Sequence, residues 1–291
     1  KDDYTAGIGK VYNKALYLTT SDELDPSWRA QESVLNSLDW DLYQQNWFGV
    51  CGEDPSDLSD ASTKNPTSSS TSGVIIIDDI LTPKTLSIIR QLLLRNTHWF
   101  QTKTPLEFGK YVGSYIDDGL NDPIFLQLAK ELHQSLPRIM KDHPLKYMWA
   151  YKYDSEWESG INLHADQAAV NVNIWLSSDG ADLEEEGYGG GLVVFTAKPK
   201  EDWEFETYNT NTDFIVDELL RPTNFANITV PHKPNRAVIF DSALFHRTDN
   251  FRFKKGYEGR INLTLLFGDM QKGGDGSCSP ASSNDKVKAD Q

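Results

Sequence analysis

Cysteine is nearly missing: Cys51 and Cys278 are the only two in 291 residues. So few sulfhydryls exclude a disulfide scaffold of the small secreted kind, and no Cys-x-x-Cys or Cys/His array offers a zinc site. Long apolar runs are missing as well. Without about eighteen consecutive apolar residues or a signal-like start, nothing reads as a membrane span or a leader, and a cytoplasmic location is the expectation. Positive charge is in deficit, with 28 Lys and Arg against 43 Asp and Glu, a net of −15. Such a surface repels phosphate backbones, so nucleic acid is disfavoured as a partner, while basic peptides or polyamines suit it better. Gly189-Gly190-Gly191 lacks the lysine and following Ser or Thr of a phosphate loop, so it carries no nucleotide reading.

A chain this long can bury a large core. Residues 1–50 read as an N-terminal helical extension, with helix-like periodicity from Trp28 to Leu42 and apolar surface at Trp40, Trp47 and Phe48. Residues 51–73, which contain Ser68-Ser69-Ser70-Thr71-Ser72, are too polar to order themselves and read as a linker or mobile loop. The main domain is expected over 74–270, followed by a flexible tail over 271–291. It opens on Val74-Ile75-Ile76-Ile77, a buried strand of β-branched residues. Thr82-Pro83 then starts a helix whose stripe includes Leu86, Ile89 and Leu93. A second helix is expected from Pro123 to Met140. Residues 199–231, with Trp203, Phe205, Tyr208, Phe214 and Phe225 among acids, suit a lid-like insertion.

His164-Ala165-Asp166, with His246 far downstream, is the motif that carries chemistry. On a strand, alternation points His164 and Asp166 one way and Ala165 the other. A third ligand must come from elsewhere, and His246 follows the strand-like run Arg236 to Ser242 after a short Ala-Leu-Phe turn. Two imidazoles and one carboxylate can occupy one face of an octahedral ion and leave the opposite positions open, the ligand set of non-haem Fe(II) oxygenases.

The stretch from Tyr151 to Gly268 also resembles the core of the Fe(II)/2-oxoglutarate-dependent oxygenases, nearest to their prolyl-hydroxylase-like branch. Five blocks in order carry the resemblance: Tyr151-Lys152-Tyr153, His164-Ala165-Asp166, Gly189 to Phe195, Ala237 to His246, and Arg260 to Gly268. It implies a mostly β fold with supporting helices around a double-stranded β-helix, or jelly-roll, cupin-like core. The glycine run would then be the close-packed start of a core strand, which the missing Cβ permits. The resemblance implies that His164, Asp166 and His246 hold Fe(II), and that 2-oxoglutarate and O2 are consumed, with ascorbate supportive. Substrate hydroxylation coupled to formation of succinate and CO2 would follow.

Arg260 stands where the family keeps a basic residue for the distal carboxylate of 2-oxoglutarate, a task suited to a planar guanidinium fork. It lies further past His246 than is common, and Arg252 is a second candidate. Arg260 is preferred because it opens a strand pattern, whereas Arg252 sits in a charged loop. Tyr151 and Tyr153 share a strand face and are expected near the co-substrate or in the core. Asn171, Asn173 and Trp175 share another face, with the amides expected in the co-substrate site or towards solvent. Trp175, Asn262 and Trp203 are the expected substrate contacts. The alternative from another class is a non-catalytic metal-containing jelly-roll binding module, which would have no reason to keep Arg260.

Overall fold

A computed structural model describes residues 17–28, 32–48, 73–103, 111–153, 160–183, 189–254 and 259–270. Cys51, Cys278, nearly all of the expected linker and the expected tail lie outside the described residues.

Among the described residues, ten strands build two antiparallel sheets. They are β1 (Val74–Ile77), β2 (Gln101–Lys103), β3 (Tyr111–Tyr115), β4 (Leu145–Tyr153), β5 (Val170–Trp175), β6 (Leu192–Phe195), β7 (Asn227–Val230), β8 (Ala237–Asp241), β9 (His246–Thr248) and β10 (Arg260–Phe267). The major sheet runs β1-β8-β5-β10-β4-β3-β2 and the minor sheet β7-β6-β9. This is the mostly β, double-stranded β-helix architecture, with helices on one side.

Period-two alternation sorts the central strands. From β5 and β10, Val172, Ile174, Ile261, Leu263 and Leu265 face a core shared with the helices Pro83–Arg95 and Pro123–Ser135, which contribute Ile88, Leu92, Leu128 and Leu132. The other face of the same strands carries Asn171, Asn173, Arg260, Asn262 and Thr264 into a cavity. Burying one full set of Leu and Ile side chains, each contributing roughly 1.5–3 kcal/mol, sets the register that points the polar set inward.

The helix after β1 begins as its sequence implies, with the Thr82 hydroxyl accepting from Thr85 N–H and Pro83 in the first turn. Its buried face is Thr85, Ile88, Ile89, Leu92 and Leu93, while Leu86 is only partly buried. Two helical expectations fail. The helix expected from Pro123 to Met140 breaks at Leu136 and resumes as Pro137–Met140, because Pro137 lacks an amide donor and crowds the preceding turn. The run from Trp28 to Leu42 is not one helix, and helix starts only at Trp40. Leu35 instead forms an isolated antiparallel bridge with Leu81. Val34 and Leu35 N–H donate to the Glu131 carboxylate, and Asn36 N–H donates to Ile80 O, so tertiary partners replace helical ones.

The glycine run packs as expected. A Cβ on Gly191 would stand 1.8 Å from Val230 O, and Gly190 adopts φ of +71°. Gly191→Ala must therefore push β6 from β7. A loss at or above the roughly 1–3 kcal/mol of ordinary overpacking is expected, read as a lower midpoint in chemical denaturation.

His98 is almost wholly buried, and burial, followed by the Lys152 charge, pushes its pKa down to about 4. Lys152 is fixed nearby, donating to Leu93 O at 2.7 Å with its ammonium over the Trp99 ring. Since the folded pKa lies below the unfolded value of 6.5, the unfolded chain takes up the proton first as pH falls. His98 therefore supports the fold above pH 6.5, and that support drains away between 6.5 and about 4. Between pH 7 and pH 5 the loss is on the order of 2 kcal/mol. Unfolding midpoints of His98→Gln should fall less over this interval than those of the unaltered chain; equal falls would contradict the assignment.

Candidate metal centre

Register brings the cavity's polar groups together. In β10, Arg260 pairs with Tyr153 of β4, Asn262 lies between Tyr151 of β4 and Trp175 of β5, and Thr264 lies between Trp149 and Asn173. Across the cavity the minor sheet supplies His246 and Thr248 from β9 and Leu192 from β6.

The segment bearing His164 and Asp166 is not the regular strand that its alternation suggests. It makes one isolated bridge, in which His164 N–H donates to His246 O and His246 N–H donates to His164 O, at 3.0 and 2.8 Å. Asp166 N–H then turns to Ser242 O. One bridge suffices for the alternation: Ala165 is buried in an apolar cluster with Val193 and Phe245, while its two neighbours face the cavity. His246 opens β9 immediately after the Ala243-Leu244-Phe245 turn.

Ligand atoms of His164, Asp166 and His246 all lie within 4.8 Å of one another, and no other group of three or more such residues forms among the described residues. Asp166 Oδ1 is 3.8 Å from His164 Nε2, and Asp166 Oδ2 is 3.5 Å from His246 Nε2. The edge of an octahedron with bonds of about 2.1 Å is about 3 Å, so closing on an ion takes side-chain shifts of about an ångström or less. Both imidazoles are already turned for it. Nδ1 of His164 lies 2.7 Å from Asn162 O and Nδ1 of His246 2.9 Å from Leu244 O. A carbonyl can only accept, so each Nδ1 carries the proton and each Nε2 presents its lone pair to the centre.

Electrostatics agree with this donor set. Burial and the nearby His246 push His164 down to about 4, which keeps it neutral near pH 7. Burial works to raise Asp166, but hydrogen bonding to His246, the two imidazoles and the Asn171 amide outweigh it and hold the carboxylate below its ordinary range. Asn171 Nδ2 donates to Asp166 Oδ2 at 2.8 Å. The lone pair of a neutral His164 and an ionised Asp166 are what a divalent ion needs.

Arg260 lies at the far end of the cavity and is only 2% exposed. Its Nε donates to Gly190 O at 2.8 Å and its Nη2 to Gly191 O at 3.2 Å, and its guanidinium stacks over Tyr153 at 4.7 Å. Among the described residues no carboxylate stands within ion-pair distance of it. A buried cation held by carbonyl oxygens, the Tyr153 hydroxyl and aromatic faces, with Asp182 and Asp249 adding only longer-range attraction, is suited to receive an anion. The nearby carbonyl oxygens of Asn171, Asn173 and Asn262 are buried without hydrogen-bond partners, which marks unused polar capacity in the same space. These observations fit a metal with a carboxylate co-substrate. Arg252 is exposed, donates to Leu183 O and does not line the cavity.

Of the remaining expected site residues, Tyr153, Asn171, Asn173 and Asn262 line the cavity. Tyr151 does not: it is buried one layer out, its hydroxyl 2.8 Å from that of Tyr115 and its ring packed against Tyr111. Neither indole reaches the cavity. Trp175 is fully buried between the sheets with Leu192, Val194 and Phe240, because its pleat position faces the inter-sheet core beyond the cavity's end. Trp203 stacks on Phe214 at 4.9 Å in the insertion's own apolar cluster. Trp149, Ile161, Thr248 and Thr264 complete the lining and escaped the sequence reading, although Thr264 follows Arg260 and Asn262 at period two. No helix among the described residues is long and apolar enough to cross a membrane.

No protein-family model matches the chain, and no curated protein does. Solved structures do. The non-heme alpha ketoglutarate dependent carbocyclase SnoK from nogalamycin biosynthesis aligns at 11% identity with a TM-score of 0.50, over 68% of this chain and 79% of its own. A Pseudomonas putida prolyl-4-hydroxylase aligns at 14% identity and a TM-score of 0.45, over 68% of this chain and 93% of its own. HygX from Streptomyces hygroscopicus, solved with nickel and 2-oxoglutarate bound, aligns at 15% and 0.44, over 68% and 84%. At these identities the likeness is one of fold.

Proposed function

We propose that the chain is an Fe(II)- and 2-oxoglutarate-dependent dioxygenase that hydroxylates a small molecule or a protein side chain. The carrying observation is that two pre-oriented imidazoles and a carboxylate converge in the same cavity as a buried guanidinium that has no carboxylate within ion-pair distance among the described residues. His164, Asp166 and His246 would hold the iron, and Arg260 the distal carboxylate of 2-oxoglutarate. Bound together, these groups supply oxidation by O2, with 2-oxoglutarate released as succinate and CO2.

The chain's own work is placement. The Asn162 and Leu244 carbonyls hold the imidazole protons on Nδ1, and Asn171 orients the Asp166 carboxylate. Gly190 and Gly191 carbonyls orient the Arg260 fork, and Tyr153 packs against its face. Leu192, Ile161 and Trp149 bound the space and limit water around it. The Thr264 hydroxyl, which accepts from Asn262, keeps its own proton to donate to a carboxylate, and Asn262 Oδ1 can accept from a substrate donor.

The test is succinate formation from 2-oxoglutarate with Fe(II) and ascorbate, run with a broad set of small molecules and peptides. Succinate above a metal-free control is expected. Its absence across a broad set of small molecules and peptides would favour a metal-containing binding module without catalysis.

A further inference from the structure

The insertion between β6 and β7 does more than cover apolar surface: it hydrogen-bonds the metal segment twice over, Tyr208 to the Gln167 side chain and Asn209 to the Ala165 backbone. In an antiparallel pair, alternate residues direct their backbone groups towards the partner strand and the intervening ones direct theirs away. His164 uses both of its groups on His246. Ala165 therefore turns its N–H and C=O to the opposite side, where a further strand would stand and where none does among the described residues. Asn209, in the helix Phe205–Thr210, supplies both missing partners: its Oδ1 accepts from Ala165 N–H at 2.9 Å and its Nδ2 donates to Ala165 O at 3.0 Å.

We infer that Asn209 is a positioning residue for the metal centre, its amide standing in for one residue of an absent strand and fixing the spacing between His164 and Asp166. The inference rests on the proposed metal site. Three features support it. Ala165 is fully buried, so its backbone groups have no ready recourse to water. The helix carrying Asn209 is itself anchored, since Tyr208 beside it is 1% exposed and meets Phe245 edge-on at 6.3 Å. Phe245 directly precedes the ligand His246, so the same helix braces both halves of the centre. Asparagine is one of the two side chains that offer an amide donor and acceptor together, and its shorter stem places them at backbone-like spacing.

The experiment uses the full chain with Asn209→Ala and Asn209→Leu, read by Mn(II) affinity and by hydrogen exchange over 160–170. Both variants are expected to bind Mn(II) roughly 10–100-fold more weakly, the usual range for outer-shell partners, and to exchange faster over 160–170 while β5 and β10 keep their protection. Unchanged Mn(II) affinity in both would overturn the inference. If exchange over 205–210 also rises, Asn209→Gln decides: partial recovery of affinity supports positioning by the amide, and weakness equal to alanine overturns it. Failure of the unaltered chain to bind Mn(II) would instead sink the proposed function, while exchange over 160–170 would still report whether Asn209 holds the segment.

Discussion

Replacing Asp166 with alanine is expected to abolish metal binding and, with it, all succinate formation. Three protein ligands become two. The loss of several kcal/mol of metal stabilisation, at 1.36 kcal/mol for each factor of ten, corresponds to roughly a thousandfold or more. The fold should survive, because Asp166 is not part of the apolar core and its side chain bonds only within the cluster. Removal of its charge also leaves His164 and His246, 4.2 Å apart between ring centres, without the carboxylate between them. Metal content after dialysis, with a thermal unfolding curve as control, checks this. Retained metal and turnover in a folded variant would exclude Asp166 from the ligand set.

Arg260→Gln should act on the other co-substrate and leave the metal alone. Glutamine keeps a donor for the Gly190 carbonyl but loses both the charge and the planar fork. The guanidinium stacks on Tyr153 and Phe251, so some packing goes with it. A rise in the 2-oxoglutarate concentration for half-maximal turnover of about 10–100-fold follows from losing a charge-assisted hydrogen bond pair of about 1.5–3 kcal/mol. Mn(II) affinity in the absence of 2-oxoglutarate should change little. A variant that lost metal and co-substrate equally would reassign Arg260 to holding the structure.

Much of this centre is legible in the sequence because its determinants are local. Alternation over β10 separates Arg260, Asn262 and Thr264 from Ile261, Leu263 and Leu265, and alternation over β5 separates Asn171 and Asn173 from Val172 and Ile174. His164-Ala165-Asp166 states its geometry in three residues. What alternation does not state is depth: Trp175 shares a face with Asn171 and Asn173 yet ends between the sheets, and Tyr151 shares one with Tyr153 yet bonds Tyr115 a layer away. Depth depends on where the opposite sheet stops, and that is set by strands distant in sequence. Helix periodicity misled over Trp28 to Leu42 for a related reason, since the backbone partners of 34–36 are Glu131, Ile80 and Thr82. Asn209 was invisible because its partner is a backbone 44 residues away, and no side-chain pattern records a backbone contact.

Equilibrium dialysis of 2-oxoglutarate against the chain, with and without Mn(II), tests the shared cavity most directly. One molecule per chain should be retained with Mn(II), and retention should collapse on chelation, because the metal and Arg260 are proposed to hold opposite ends of the same ligand. Equal retention with and without metal, or none in either case, would contradict the account.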